Sequence, residues 1–135
     1  MSVEIYKAGG RFEEIGSYAR AKRIGPFVWT AGTTAIEPTG KIHAPDDGYA
    51  QTLYILGRVK EFLAEVGAEM RHIARVRVYL TDMKHSAGFI KAHGEVFEAI
   101  NPVLTAVTAG LTQKGLVVEI DVDAVIHDVD GKIDL

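Results

Sequence analysis

The side chains best suited to chemistry in this chain are three carboxylates at alternate positions, Glu119, Asp121 and Asp123. On an extended strand that spacing sets all three on one face. A carboxylate half-buried on such a face has its pKa raised by desolvation. It can then take and return a proton near neutrality, which is general acid–base work. An ion pair with Arg75 or Arg77 on a neighbouring strand gives the opposite outcome, a carboxylate held in its charged form. Both readings stand for Glu119, whereas Asp121 and Asp123 read as a solvated or salt-bridged face. The five histidines, at 43, 72, 85, 93 and 127, show no metal-ligand spacing. His85 and His93 share a helix face but lie two turns apart, too far for one ion. Cysteine is absent, which excludes disulfides and thiolate catalysis. The glycine-rich phosphate loops, the nucleophile elbow and the zinc-protease helix motif are all missing. No metal site is expected from this spacing.

The elements that must position these groups follow from periodicity. Val3 to Tyr6 reads as a short strand. Tyr18 to Ile24 and Phe27 to Ala31 read as a hairpin around Gly25-Pro26. Pro38 to Lys41 makes a turn. Asp46 and Asp47 are candidate N-caps for a helix running to about Val66, with Gly67 as its stop. Leu53, Leu56, Val59, Leu63 and Val66 form its core-facing stripe. A strand from Ile73 to Thr81 follows, with Val76, Val78 and Leu80 inward and Arg75, Arg77 and Tyr79 outward. A second helix, Ser86 to Ile100, is expected to pack through Ala87, Ile90, Gly94, Phe97 and Ile100, and Asn101-Pro102 ends it. Val103 to Ala109 and Leu116 to about Ile126 close the chain as strands. The expected fold is α+β: a sheet covered on one face by two helices. Its other face carries Arg75, Arg77, Glu119, Asp121 and Asp123, flanked by apolar residues such as Val117 and Val125. That mixture of ion-pairing and apolar surface favours an oligomer whose sheets face one another.

Bulk properties bound the function classes. A chain of 135 residues suits one domain, here spanning 1–135. A net charge of −3 offers no large positive field to attract a phosphate backbone, so no nucleic-acid partner is expected. The first residues carry no basic segment followed by an apolar run, and no stretch approaches the roughly 20 apolar residues of a membrane span. The expected location is cytoplasmic, without membrane association.

Four stretches together resemble the Rid family, also called the YjgF or L-PSP endoribonuclease family. Gly16 to Ala21 leading into Gly25 to Gly32 is similar to its opening hairpin. Arg77 to Met83 resembles its central strand and the turn after it. Pro102 to Val107 matches the segment that normally holds a catalytic arginine, and Leu116 to Ile120 resembles the final strand with its glutamate. They span nearly the whole chain in the family's order. The resemblance implies a chorismate-mutase-like fold with a mixed sheet, and a homotrimer with three inter-subunit clefts. In those clefts the best-known members bind small carboxylates and hydrolyse reactive imines or enamines, releasing ammonia, and the resemblance implies that no cofactor or metal is needed.

Carried over residue by residue, the resemblance makes Glu119 the group that holds or activates the attacking water. It makes Tyr18 a substrate or water contact, although an aromatic at a hairpin start needs no such role. Gly32 and Thr33 fall where backbone lines the cleft, and Gly32 equally serves a bend. His93 stands where many members have a tyrosine. It is either a base or substrate contact, or a helix histidine bonded locally. Leu104, followed by Thr105, occupies the place of the arginine that grips a substrate carboxylate in 2-iminoacid deaminases. No arginine occurs after Arg77, so no shift of alignment restores it. Losing a bidentate charged contact removes on the order of a thousandfold in turnover. Ile90 and Ala31 replace a cleft asparagine and serine. The implied function is therefore hydrolysis of some other imine or enamine, such as an aminomuconate-like compound, by a trimer binding a small metabolite. The alternatives are a non-enzymatic ligand-binding trimer and, against the acidic charge, an endoribonuclease.

Overall fold

The computed structural model describes residues 3–135; Met1-Ser2, the front of the segment read for a leader, lie outside them. Strands β1 (Val3–Tyr6), β2 (Ala21–Ile24) and β3 (Phe27–Thr30) form an antiparallel meander. The last strand, β7 (Val118–Val125), pairs antiparallel with β3 along its second half and with β4 (Thr33–Thr34) along its first. Its other edge takes β5 (Ile73–Leu80), antiparallel, and β6 (Val103–Thr108) then lies parallel to β5. The sheet is therefore mixed, in the order β1-β2-β3-β7-β5-β6, as the α+β reading requires. A parallel neighbour needs a crossover, and helix α3 (Ser86–Val96) supplies it.

Helix α2 (Gly48–Glu65) starts where the carboxylate of Asp47 accepts the amide of Ala50 at 2.9 Å, and it gives way to Gly67 at φ +82°. Leu56, Val59, Leu63 and Val66 are buried as expected, with Ile55 and Phe62 completing the face, while Leu53 is only half-buried. They meet Val76, Val78 and Leu80 of β5 and Val118, Ile120 and Val122 of β7 in one core. Each fully buried aliphatic there stabilises the fold by roughly 1.5–3 kcal/mol. Gln51 of α2, wholly buried, fixes the start of β7 by accepting the Val117 amide at 3.0 Å and donating to the Gly115 carbonyl at 2.8 Å. Val117 is thus interior rather than a flank of the open face.

Three further expectations are corrected. Helix α3 is shorter and buries Phe89, Ala92 and, just past its end, Phe97; Ala87 and Gly94 are exposed, and Ile90 is 54% exposed. The α2–α3 crossing is too close for the face first inferred. A Cβ on Gly88 would lie 3.0 Å from the Tyr49 amide nitrogen, and one on Gly48 would lie 3.2 Å from the His85 carbonyl. Tyr18 precedes its strand rather than joining it. It follows an unanticipated helix, α1 (Arg11–Gly16), too short to show a period.

The face of the sheet away from the helices has a polar centre. Arg77 holds Asp123 through two hydrogen bonds of 2.9 and 3.0 Å and reaches Asp121 at 2.7 Å, and the Tyr79 hydroxyl donates to Asp121 at 2.9 Å. On either side lie exposed apolar groups: Ile24, Phe27 and Trp29 on β2 and β3, Val103 and Val107 on β6. These, rather than Val117, flank the network. No helix among the described residues is long and apolar enough to cross a membrane.

Candidate functional site

The strand break between β3 and β4 creates the site. Ala31-Gly32 bends the chain so that β7 changes partner, and Val122 donates its amide to the Thr30 hydroxyl at 3.1 Å at that point. Gly32 then lies flat against the Glu119 side chain: a Cβ there would collide with Glu119 Oε2 and come within 3.0 Å of Cδ. Only glycine lets the carboxylate take this position.

Arg20 closes the other side. It donates from Nη1 to the Gly32 carbonyl at 3.0 Å, pairs through Nε with Glu13 at 3.0 Å, and lies over the Tyr18 ring at 5.4 Å. Glu13 is buried, accepting the amides of Gly10 at 2.7 Å and Ala8 at 3.3 Å. Ser17, with φ 56°, turns the chain out of α1 so that Tyr18 leads into β2. Neither Arg20 nor Glu13 was picked out from the sequence. A signal existed in Gly10-x-x-Glu13, where a glutamate three residues into a helix reaches back to the N-cap amide.

Burial raises the Glu119 carboxyl above its usual pKa, Asp121 adds to the rise, and Arg20 opposes it. Arg77 spends itself on Asp121 and Asp123, while Glu119 sits in register with Tyr79 and Thr34. The ion-pair alternative for Glu119 thus has no structural partner on β5. A carboxylate with raised pKa keeps its proton more readily when folded, so stability falls as pH rises from the unfolded pKa through the folded one. Glu119→Gln is expected to melt higher than the parent near neutrality and to lose that advantage below the ordinary carboxylate range. An unchanged difference from acid to neutral pH in thermal melts would contradict the shift.

The remaining named residues are dispersed. Thr33 is buried, opposite Ile120, with its side chain on the helix-covered face; its hydroxyl donates to the Ala31 carbonyl at 3.2 Å. Leu104 pairs in register with Val76 and packs against the core, so its side chain also faces the helices. Thr105 turns the other way and accepts from Arg75 at 3.3 Å. His93 lies between Phe89 and Phe97, with ring centroids 5.5 and 4.5 Å away; burial lowers its pKa and its Nε2 has no hydrogen-bond partner among the described residues. The fold thus gathers Tyr18, Gly32 and Glu119 with Arg20, and sets His93, Leu104 and Thr105 on the α3–β6 side. No cluster of three metal-ligating side chains occurs among the described residues.

Comparisons with known proteins match this chain along most of its length. The family model described as Endoribonuclease L-PSP matches residues 9–126. An uncharacterized protein of Streptomyces coelicolor is 32% identical over 131 residues, covering 96% of this chain and 97% of that one. A RutC family protein of Pyrococcus abyssi is 32% identical over 122 residues, covering 90% and 95%. A crystal structure of a YjgF/YER057c/UK114 family member from Mycobacterium tuberculosis superposes with a TM-score of 0.83 at 36% identity, covering 93% of this chain and all of that one.

Proposed function

We propose, for a chain that belongs to the endoribonuclease L-PSP family, also called Rid or YjgF, that Glu119 directs water onto an imine or enamine bound where subunits of a homotrimer meet. The observation that carries this reading is the seating of a half-buried Glu119 carboxylate, its pKa raised by burial, directly on Gly32. A carboxyl of raised pKa can accept a proton from water as it attacks the C=N carbon of an imine, or of the imine tautomer of an enamine, then return it to the departing nitrogen. The products are a carbonyl compound and ammonia. Tyr18, 41% exposed beside Arg20, offers a hydroxyl at the rim.

Assembly completes the cleft in this reading. The exposed Ile24, Phe27 and Trp29 on one flank of the open face, and Val103 and Val107 on the other, form an apolar surface of the kind that marks an interface. A neighbouring subunit brings its α3–β6 side, with His93, Leu104 and Thr105, toward Glu119. Because leucine there offers no donor, the favoured substrates are larger or less acidic than 2-imino acids. An aminomuconate-like enamine meets that description.

The test is ammonia release from a panel of imines generated in situ and of aminomuconate analogues, with solution mass measured on the same sample. Turnover of at least one enamine by a trimer, lost in Glu119→Gln, is expected. A monomer, or no release across the panel, counts against hydrolysis. Leu104 packing into the core gives one specific reason to retain the binding-only alternative, which predicts ligand-raised melting without ammonia.

A further inference from the structure

We propose that the cavity between α1 and α2 is a second ligand site, built for a small aromatic or branched apolar monocarboxylate. This inference stands apart from turnover at Glu119. The cavity holds about 560 Å³, within the range of small-molecule pockets. Thr33 lines it, whereas Gly32, one residue back, lies against Glu119. Tyr18, Arg20 and Thr34 line it as well, so the cavity adjoins the rim of the Glu119 site, while Gly32 and Glu119 themselves are not among its lining residues.

Charge is the first argument. The whole chain carries −3, yet the charged residues lining this cavity are Arg11, Arg20, Arg58 and a single acid, Glu13, a local balance of +2. Glu13 is already committed to the Ala8 and Gly10 amides and to Arg20. Arg58 has only the exposed Glu61, 3.5 Å away, as an ionic partner, and such a pair contributes little. The buried Arg58 Nε has no hydrogen-bond partner among the described residues. A guanidinium so placed fits a carboxylate, whose two oxygens match its fork.

The walls are the second argument. Arg58 lies over the Phe62 ring at 5.3 Å, and Tyr6 packs on Phe62 at 5.9 Å. In the same lining, Arg11 lies over Phe12 at 5.6 Å, and Phe12 stands 66% exposed on a six-residue helix. An exposed ring and a buried one in the same lining, each with a cation beside it, suit an apolar body carrying one negative charge. A free phosphate satisfies the cations but leaves the rings uncovered.

The experiment is a ligand-observed NMR titration of the intact protein with phenylacetate, phenylacetamide and inorganic phosphate. Phenylacetate is expected to bind at least about tenfold more tightly than the amide or the phosphate. Arg58→Gln is expected to weaken it by about tenfold, Arg58→Lys by less, since lysine keeps the charge and loses the fork. Phe12→Ser, a surface change that leaves the core intact, should weaken it as well, and Glu119→Gln should not. Equal binding of acid and amide overturns the proposal, as does phenylacetate affinity that falls in Glu119→Gln but survives Arg58→Gln and Phe12→Ser.

Discussion

Gly32→Ala is expected to lower ammonia release by about a hundredfold while leaving the fold standing. The new methyl group would fall on Glu119 Oε2, 3.0 Å from Cδ and 3.4 Å from Cγ. A carboxylate is the far end of a rotatable side chain, so it swings away before the backbone yields. Displacing a reacting group by an ångström removes on the order of a hundredfold in rate. Glu119→Gln, which abolishes the proton acceptor of the proposed hydrolysis, is expected to remove about a hundredfold to ten-thousandfold. The double variant should be no slower than Glu119→Gln alone, because the same carboxylate is lost only once. Measured kcat/KM values for the parent, the two single variants and the double variant decide the matter. Full activity in Gly32→Ala, or multiplicative losses in the double variant, would sink the assignment of Gly32 as the seat of Glu119.

The largest stability effect is expected at Glu13, which no periodicity singles out. Its carboxylate is 4% exposed as a residue and serves the Gly10 and Ala8 amides and Arg20 Nε together. Alanine there leaves two backbone donors and a largely buried guanidinium without their acceptor. Breaking a buried charge pair from one side destabilises by roughly 3–5 kcal/mol. The Arg20 side chain retains 18% exposure, so water relieves part of that, and about 3 kcal/mol is the expected loss. Urea unfolding should show a lower midpoint with an unchanged slope. A change below about 1 kcal/mol would mean that α1 is not tied to the body of the fold through this pair. Since Arg20 also holds the Gly32 carbonyl, the same variant should loosen the seat of Glu119 and lower turnover alongside stability.

The two effects separate in an informative way. Gly32→Ala acts on the carboxylate and spares the core, whereas Glu13→Ala acts on the scaffold that presents it. A protein that lost activity in both but stability only in the second would match the arrangement described, in which Arg20 links α1, the β3–β4 bend and the candidate catalytic group.

Much of the framework was legible from residue order because it depends on neighbours close in sequence. The alternation of Val118, Ile120, Val122 and Ala124 with Glu119, Asp121 and Asp123 fixes which residues of β7 go inward, since successive side chains of a strand point to opposite faces. Asp47 and Gly67 bracket α2 for equally local reasons, a side-chain acceptor at one end and a left-handed backbone near the other. Family membership was legible too, through segments arriving in a fixed order. Other features depend on contacts between distant segments. Helix α3 carries apolar residues on two sides, and only its close crossing with α2 at Gly48 and Gly88 decides that Phe89 and Ala92 are buried and Ile90 is not. Leu104 faces the helices because β6 pairs in parallel with β5 in a register that sets it beside Val76, a choice its own sequence does not contain. Likewise, Arg77 had three carboxylates within its strand neighbourhood to choose from. Pairing geometry gave it Asp121 and Asp123 and left Glu119 half-buried against a glycine. Short-range periodicity thus determined the elements and their inward faces, while the partner of each charge was decided only when strands far apart in the chain came into register.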